Sequence, residues 1–320
     1  MRTERIKCFF LGVSREKKHD PIYECCDGKI YGEYNLKYIR EKKVHFGDGY
    51  LDVDLFEMTD SKDPPLRRAK RRRISPPHII EANDRHSRNH LRQLVIHNFG
   101  AGDIYMTCTY SGEPPTPEEA QRHQQNFIAR LKRLYARHGV EFRAIYVTEG
   151  GNEKPDGSCT RVHHHLVIPG GVPREEIERC WNGRQNGSGK TRRGYCNASV
   201  IQPDTEERGC ERIAEYLAKS RTKNLGSGTR RWNCTRNIKR PIETVTDNRF
   251  SRRRTEELLN AFDIKNAVKL EVWEDLRRLL EKRYDKELTD VICSVNPVDG
   301  HVYLSARFRR QQACFIKQRK

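Results

Sequence analysis

Two histidines two positions apart, His163 and His165, carry the clearest chemistry in the sequence. They lie in the segment RVHHHLVI, residues 161–168, whose composition is typical of a β-strand. Alternate side chains of a strand share a face, so the two imidazoles can bind one cation while His164 points to the other face. Glu149 ends the preceding predicted strand, and a hairpin would bring its carboxylate beside the pair. Two imidazoles and a carboxylate form a divalent-metal site with open positions.

A tyrosine followed three residues later by a lysine supplies a candidate nucleophile. Tyr216 and Lys219 fall in a predicted helix over 206–220, where positions three apart lie on one face. A nearby cation favours the phenolate, which is the form of tyrosine that attacks phosphorus. A second Tyr-x-x-Lys, at Tyr34 and Lys37, lies in a weakly patterned region far before the histidines, so Tyr216 is preferred.

The elements that must position these groups follow from the spacing of apolar residues. After Thr116 a helix begins, with Pro117 at its first position and Glu119 completing a capping box. The other helices are predicted over 83–98, 175–181 and 206–220, and the strands over 103–110, 141–149, 160–168 and 195–202. Strands joined by hairpins and helices, without strict alternation, predict an α+β fold: an antiparallel sheet carrying His-x-His on a central strand, with helices packed on it.

The chain divides into three predicted regions. Residues 1–82 are basic and partly irregular, residues 83–245 hold the candidate site, and residues 246–320 form a helical appendage with a terminal strand. In the appendage, a broken helix is predicted over 255–284 and the strand over 302–306.

The charge of the chain indicates a polyanionic partner. It has 320 residues, 35% of them hydrophobic, and 62 Lys and Arg against 44 Asp and Glu give a net charge of +18. Neutralising phosphates releases counterions and adds affinity, which favours nucleic acid. An anionic membrane is disfavoured, because no apolar run approaches the roughly 18 residues that a spanning helix needs. Eleven cysteines without a Cys-x-x-Cys pair argue against a zinc ribbon and suit a reducing cytoplasm, where we expect the protein.

Two basic segments are candidates for DNA contact. The run RRAKRRR, residues 67–73, lies between proline pairs and is either a solvated linker or a phosphate-contacting arm; a nuclear signal would look similar. In the second segment, basic side chains surround an indole, as in proteins that bind single-stranded DNA; alternatively, the indole is a core anchor. Its candidate residues are Arg230, Arg231, Trp232, Arg236, Lys239 and Arg240.

Taken in order, three motifs resemble those of the HUH endonucleases. They are the strand DIYMTCTY, residues 103–110, the His-x-His pair, and the downstream Tyr-x-x-Lys. Within that superfamily the chain looks like replication initiators of phage and plasmid type from Gram-positive bacteria. The resemblance runs over residues 83–310 and includes the segment RWNCTRNIKRP, residues 231–241.

The resemblance implies a fold of HUH type and a rolling-circle mechanism. His163, His165 and Glu149 would bind Mg²⁺ or Mn²⁺. Tyr216 would attack the scissile phosphate of single-stranded origin DNA, leaving a 5′-phosphotyrosine and a free 3′-OH, and Lys219 would position the phosphate or assist the tyrosine. Host polymerase and helicase would then be partners.

Three alternatives stay open. A metal-dependent oxygenase or cupin also uses two histidines and a carboxylate, but the cupin pattern needs a glutamate soon after the pair, and VIPG follows here at 167–170. A transposase or relaxase of the same superfamily would share the site. A DNA-binding regulator would keep the fold without catalysis.

Overall fold

The computed structural model describes residues 36–59, 77–150, 160–182, 193–203, 210–219, 232–247, 270–295 and 302–310. The chain folds as two compact units, unit 1 comprising Met1–Arg73 with Ile242–Lys320, and unit 2 comprising Ile74–Pro241. Both contain helices and an antiparallel sheet, which confirms the predicted α+β class.

The described elements follow in chain order. They are β1 (Leu36–Phe46), β2 (Tyr50–Thr59), α1 (Pro77–Asn98), β3 (Ile104–Thr109), α2 (Pro117–Arg137), β4 (Ile145–Glu149), β5 (His163–Ile168), α3 (Arg174–Asn182), β6 (Cys196–Val200), α4 (Cys210–Lys219), β7 (Asn233–Cys234), β8 (Ile242–Asp247), α5 (Leu270–Tyr284), β9 (Glu287–Val295) and β10 (Val302–Arg309).

The sheet of unit 2 has the strand order β6-β3-β5-β4-β7, and every neighbouring pair is antiparallel. The His-x-His strand is β5, the third of five, so the predicted central position is confirmed. Every residue of β5 after His163 is buried, because helices cover both faces of the sheet at this strand.

Helix α2 begins as the sequence predicts. The hydroxyl of Thr116 accepts a hydrogen bond from the backbone N–H of Glu119 at 3.2 Å, and the Glu119 carboxylate accepts one from the Thr116 N–H at 3.1 Å. These reciprocal bonds satisfy backbone donors that the first helical turn leaves unpaired. The predicted apolar stripe is buried and packs on the sheet; its members are Phe127, Leu131, Leu134 and Tyr135.

Helices α2 and α3 cover one face of the sheet, whose core includes the alternate β3 residues Ile104, Met106 and Cys108. Helix α4 covers part of the other face and packs against α1. The buried thiol of Cys210 at the start of α4 lies 3.2 Å from the Phe99 carbonyl oxygen, just after the end of α1. The site is therefore built on the α4 side of the sheet.

Two boundaries differ from the prediction. Helix α1 begins at Pro77 instead of residue 83, because proline is well suited to the first position of a helix. Strand β4 begins at Ile145 instead of residue 141. Ahead of it, the backbone N–H of Ala144 donates to the Thr235 hydroxyl, and the Thr235 N–H donates to the Ala144 carbonyl. These contacts replace regular strand pairing at that position.

Unit 1 contains a sheet of order β8-β1-β2-β10-β9, with α5 packed on it through the buried Leu280. The sequence analysis predicted β10 but not β1, β2, β8 or β9. Of the predicted helix over 255–284, residues 270–284 form α5 and the rest lies outside the described residues. The basic run 67–73 and Tyr34 also lie outside them. Among the described helices, none combines the length and apolar composition that crossing a membrane requires.

Candidate metal centre and tyrosine

Strand register brings the three predicted metal ligands together. Glu149 lies opposite His163 in the β4–β5 ladder, and Val147 lies opposite His165. Glu149 Oε2 is 3.5 Å from His163 Nε2, and Glu149 Oε1 is 3.7 Å from His165 Nε2. One ligand atom from each residue lies within 4.8 Å of the others. Donor atoms bound to Mg²⁺ at about 2.1 Å are about 3 Å apart in adjacent positions and about 4 Å in opposite ones, so this cluster can close on one ion.

His163 is oriented by its backbone neighbour. Its Nδ1–H donates to the Arg161 carbonyl oxygen at 2.9 Å, which leaves the Nε2 lone pair directed toward Glu149. The hydrogen bond with Glu149 raises the pKa of His163, against the opposing effect of burial. The imidazole at the open side of the site is therefore closely coupled to the carboxylate.

His165 is the buried ligand, with 4% of its side chain exposed. Its Nδ1 lies 2.7 Å from the Tyr105 hydroxyl and 3.0 Å from the Thr107 hydroxyl. Burial lowers the pKa of His165 to about 4, so the ring is neutral at neutral pH.

The other ring nitrogen of His165 provides the test of whether a metal fits. This Nε2 is buried, faces Glu149, and has no hydrogen-bond partner among the residues that the structure describes. A buried polar atom without a partner is costly, and a cation bound to its lone pair would satisfy it. The three side chains therefore fit a divalent metal.

Tyr216 lies at this centre. Its ring is 5.5 Å from the His165 ring, nearly perpendicular at 89°, and 6.4 Å from the Tyr105 ring at 83°. The neighbouring Ala214 and Leu217 anchor α4 in the core, whereas Tyr216 is 54% exposed. One edge of the phenol thus packs on a ligand ring while the rest is accessible to a substrate. Lys219 is the last residue of α4, and its side chain lies outside the described part of the structure.

His164, the middle histidine, lies on the opposite face and is fully buried, as the strand pattern predicts. Its Nε2 is 2.8 Å from the Tyr110 hydroxyl, and its Nδ1 is 2.9 Å from the Thr148 hydroxyl and 3.2 Å from the Gln124 amide. Burial lowers its pKa to about 3, and its ring packs edge-on against Trp181. His164 therefore supports the strand from the core.

The predicted DNA-binding segment runs along α1. The indole N–H of Trp232 donates to the Ser87 hydroxyl at 3.1 Å, and the half-buried ring lies 5.6 Å from that of His90. Arg236, Lys239 and Arg240 are exposed. Arg230 and Arg231 lie outside the described residues. DNA contact by this segment stays a prediction.

The sequence analysis missed Tyr105 and Thr107 as partners of His165. Both lie in the quoted strand motif, two residues apart, and Thr107 is opposite His165 in the β3–β5 ladder. Their spacing gave the only available signal, since their role depends on a strand register that the motif does not reveal.

Comparison with protein families supports a role in replication. The family of replication-associated proteins described as ORF2 matches residues 103–224. The matched part begins just before β3, ends beyond α4, and contains all three candidate ligands and Tyr216. Neither a curated protein nor a solved structure matches the chain. The match indicates a replication initiator, and the site geometry is compatible with nuclease chemistry.

Proposed function

We propose that this protein is an endonuclease of HUH type that nicks single-stranded origin DNA through Tyr216 and starts rolling-circle replication. The observation that carries the proposal is the meeting of Glu149, His163, His165 and Tyr216 at one place. A replication-associated family model matches the same part of the chain, which favours DNA over other phosphodiester substrates.

The three ligands would hold Mg²⁺ or Mn²⁺ and leave positions open for substrate oxygens. When bound there, the cation would polarise the scissile phosphate and stabilise the charge that develops on its oxygens. Glu149 contributes the negative charge of the ligand set, and His163 and His165 contribute neutral nitrogen donors. The partly exposed His163 and Glu149 form the accessible side, through which a phosphate reaches the site.

Tyr216 would supply the nucleophile. Its oxygen forms a bond to phosphorus while the bond from phosphorus to the 3′ oxygen breaks, giving a 5′-phosphotyrosine. The phenolic proton passes to solvent, and the departing 3′ oxygen takes up a proton to become the 3′-OH. Lys219, one helical turn beyond Tyr216, would position the phosphate or favour the phenolate.

The covalent product accounts for the remaining steps of the proposal. A host polymerase would extend the free 3′-OH while a helicase unwinds the duplex. The phosphotyrosine conserves the energy of the broken ester, so the strand can be rejoined without ATP. One tyrosine at the centre suits one covalently held strand at a time. We place this chemistry in the cytoplasm, on a replicon of phage or plasmid type in the Gram-positive group.

The basic segment after β7 would contact the same DNA. Its exposed Arg236, Lys239 and Arg240 would meet phosphates, together with Arg230 and Arg231. Base stacking on Trp232 is limited to its exposed part, because the indole is hydrogen bonded to α1. The salt dependence of binding would decrease when these cations are removed.

The proposal is tested by adduct formation. Single-stranded oligonucleotides tiled across the DNA around the gene are incubated with the full chain and Mn²⁺, and an adduct that survives SDS is expected for one of them. Tyr216→Phe should abolish the adduct without abolishing DNA binding, whereas Tyr34→Phe, the look-alike motif, should retain it. Chelation of the metal should also abolish it. An adduct that is insensitive to chelation, or that Tyr216→Phe still forms, would contradict the proposal.

A further inference from the structure

A row of side chains leads from the candidate metal ligands to the open edge of the sheet. Glu149 is opposite His163 across β4 and β5, and His163 is opposite Thr109 across β5 and β3. The β3–β6 ladder continues past its last paired residues, because the Thr109 N–H donates to the Tyr195 carbonyl oxygen at 2.8 Å. Tyr195 therefore ends a row that begins at Glu149.

The ring of Tyr195 is on the same face as the metal ligands. Its neighbour Cys196 is opposite the buried Cys108, and their sulfur atoms are 3.3 Å apart on the core side. Since successive strand residues point to opposite faces, Tyr195 points to the side of His163. It is 66% exposed, the largest fraction for an aromatic side chain among the described residues.

The surface between Tyr195 and the ligands is polar and without negative charge. On this face β6 presents the exposed Asn197 and Ser199, and β3 presents Thr107 and Thr109. Arg174 donates to the Asn197 amide oxygen at 2.9 Å, but it is also paired with a carboxylate of α3, so it adds little net charge. Such a surface suits stacking and hydrogen bonding more than ion pairing.

We infer that Tyr195 is a stacking platform for a base of the single-stranded DNA that flanks the scissile phosphate. The inference rests on the proposed function, which places that phosphate at Glu149, His163 and His165. Tyr195 is two strands from His163, roughly 10 Å at the usual spacing, so a nearby nucleotide of the same strand reaches it. Aromatic rings accept any base, while Asn197 and Ser199 offer hydrogen bonds to its edge.

The experiment measures binding of single-stranded DNA by the full chain without metal, so that no cleavage occurs. The probe is an oligothymidine carrying 2-aminopurine, whose fluorescence is quenched on stacking. Tyr195→Ala should weaken binding roughly 5- to 150-fold and remove the quenching, since stacking contributes about 1–3 kcal/mol per base. Tyr195→Phe should keep both properties. Val200→Ala is the matched control, because Val200 is 54% exposed on the same strand but belongs to the opposite register.

Unchanged affinity and quenching in Tyr195→Ala would overturn the inference, and so would an equal loss in Val200→Ala. If Tyr195→Ala does not fold, Tyr195→Leu provides the same comparison with an apolar side chain that lacks a ring. The wild-type adduct assay separates the two levels of the argument. An adduct with no effect of Tyr195 rejects only the platform, whereas no adduct on any origin oligonucleotide rejects the proposed function.

Discussion

The hydroxyl groups of Tyr105 and Thr107 should control how tightly the protein binds its metal. In the metal-binding tautomer, His165 donates its Nδ1–H to Tyr105 at 2.7 Å, with Thr107 as a second acceptor at 3.0 Å. Burial raises the pKa of Tyr105 to about 12, so it acts as a neutral hydroxyl throughout the working range of pH. The two hydroxyls therefore fix which nitrogen of His165 is available to the cation.

The size of the effect follows from these two contacts. Tyr105→Phe removes the shorter hydrogen bond but retains the ring that stacks on His165 at 5.7 Å and 13°. Removing an outer partner of a metal-bound histidine weakens metal binding by about 10- to 100-fold. Because Thr107 can still accept the proton, the single substitution should fall near 10-fold. Adding Thr107→Val leaves the buried Nδ1–H without an acceptor and should bring the loss to about 100-fold.

Isothermal titration calorimetry of the full chain with Mn²⁺ at neutral pH provides the measurement. Tyr110→Phe is the matched control, because it removes a tyrosine hydroxyl bonded to His164 on the opposite face. It should leave the Mn²⁺ affinity unchanged while lowering stability. Equal Mn²⁺ affinities for Tyr105→Phe, the double variant and Tyr110→Phe would refute the reasoning.

Two further predictions concern stability. Gly194→Ala should lower the urea midpoint of unfolding, because a Cβ there would overlap the backbone of Thr109; Gly100→Ala, with open space around it, is the control and should change the midpoint much less. Burial would raise the pKa of Glu41, but hydrogen bonds led by that of Tyr284 and nearby cations lower it below 4.5. Its ionised form therefore stabilises the fold above about pH 4.5, and the stability difference between wild type and Glu41→Gln should shrink as the pH falls further; a constant difference would contradict this.

Local sequence signals predicted the parts of the site that depend on one element or on two neighbouring strands. The capping box at Thr116 acts within one helical turn, and the His-x-His pair needs only the period of a strand. Glu149 could be placed because its strand directly precedes that of the histidines. Each of these inferences uses residues that are close in the chain.

The remainder depended on long-range pairing. Leu51, Val53 and Leu55 alternate as a strand requires, so β2 carried a signal that the polar surroundings obscured. Its partner was not readable, since Leu55 is opposite Leu304. The same limit applies to Tyr195, whose relation to the metal site appears only when β6, β3 and β5 are aligned.

The most direct test of the account is to identify the residue that carries DNA. The adduct formed with Mn²⁺ is digested with nuclease and protease, and the peptide that retains a nucleotide is sequenced by mass spectrometry. The account predicts a single modified site, Tyr216, linked to a 5′-phosphate. A nucleotide on Tyr34, Tyr105 or any other residue would contradict it.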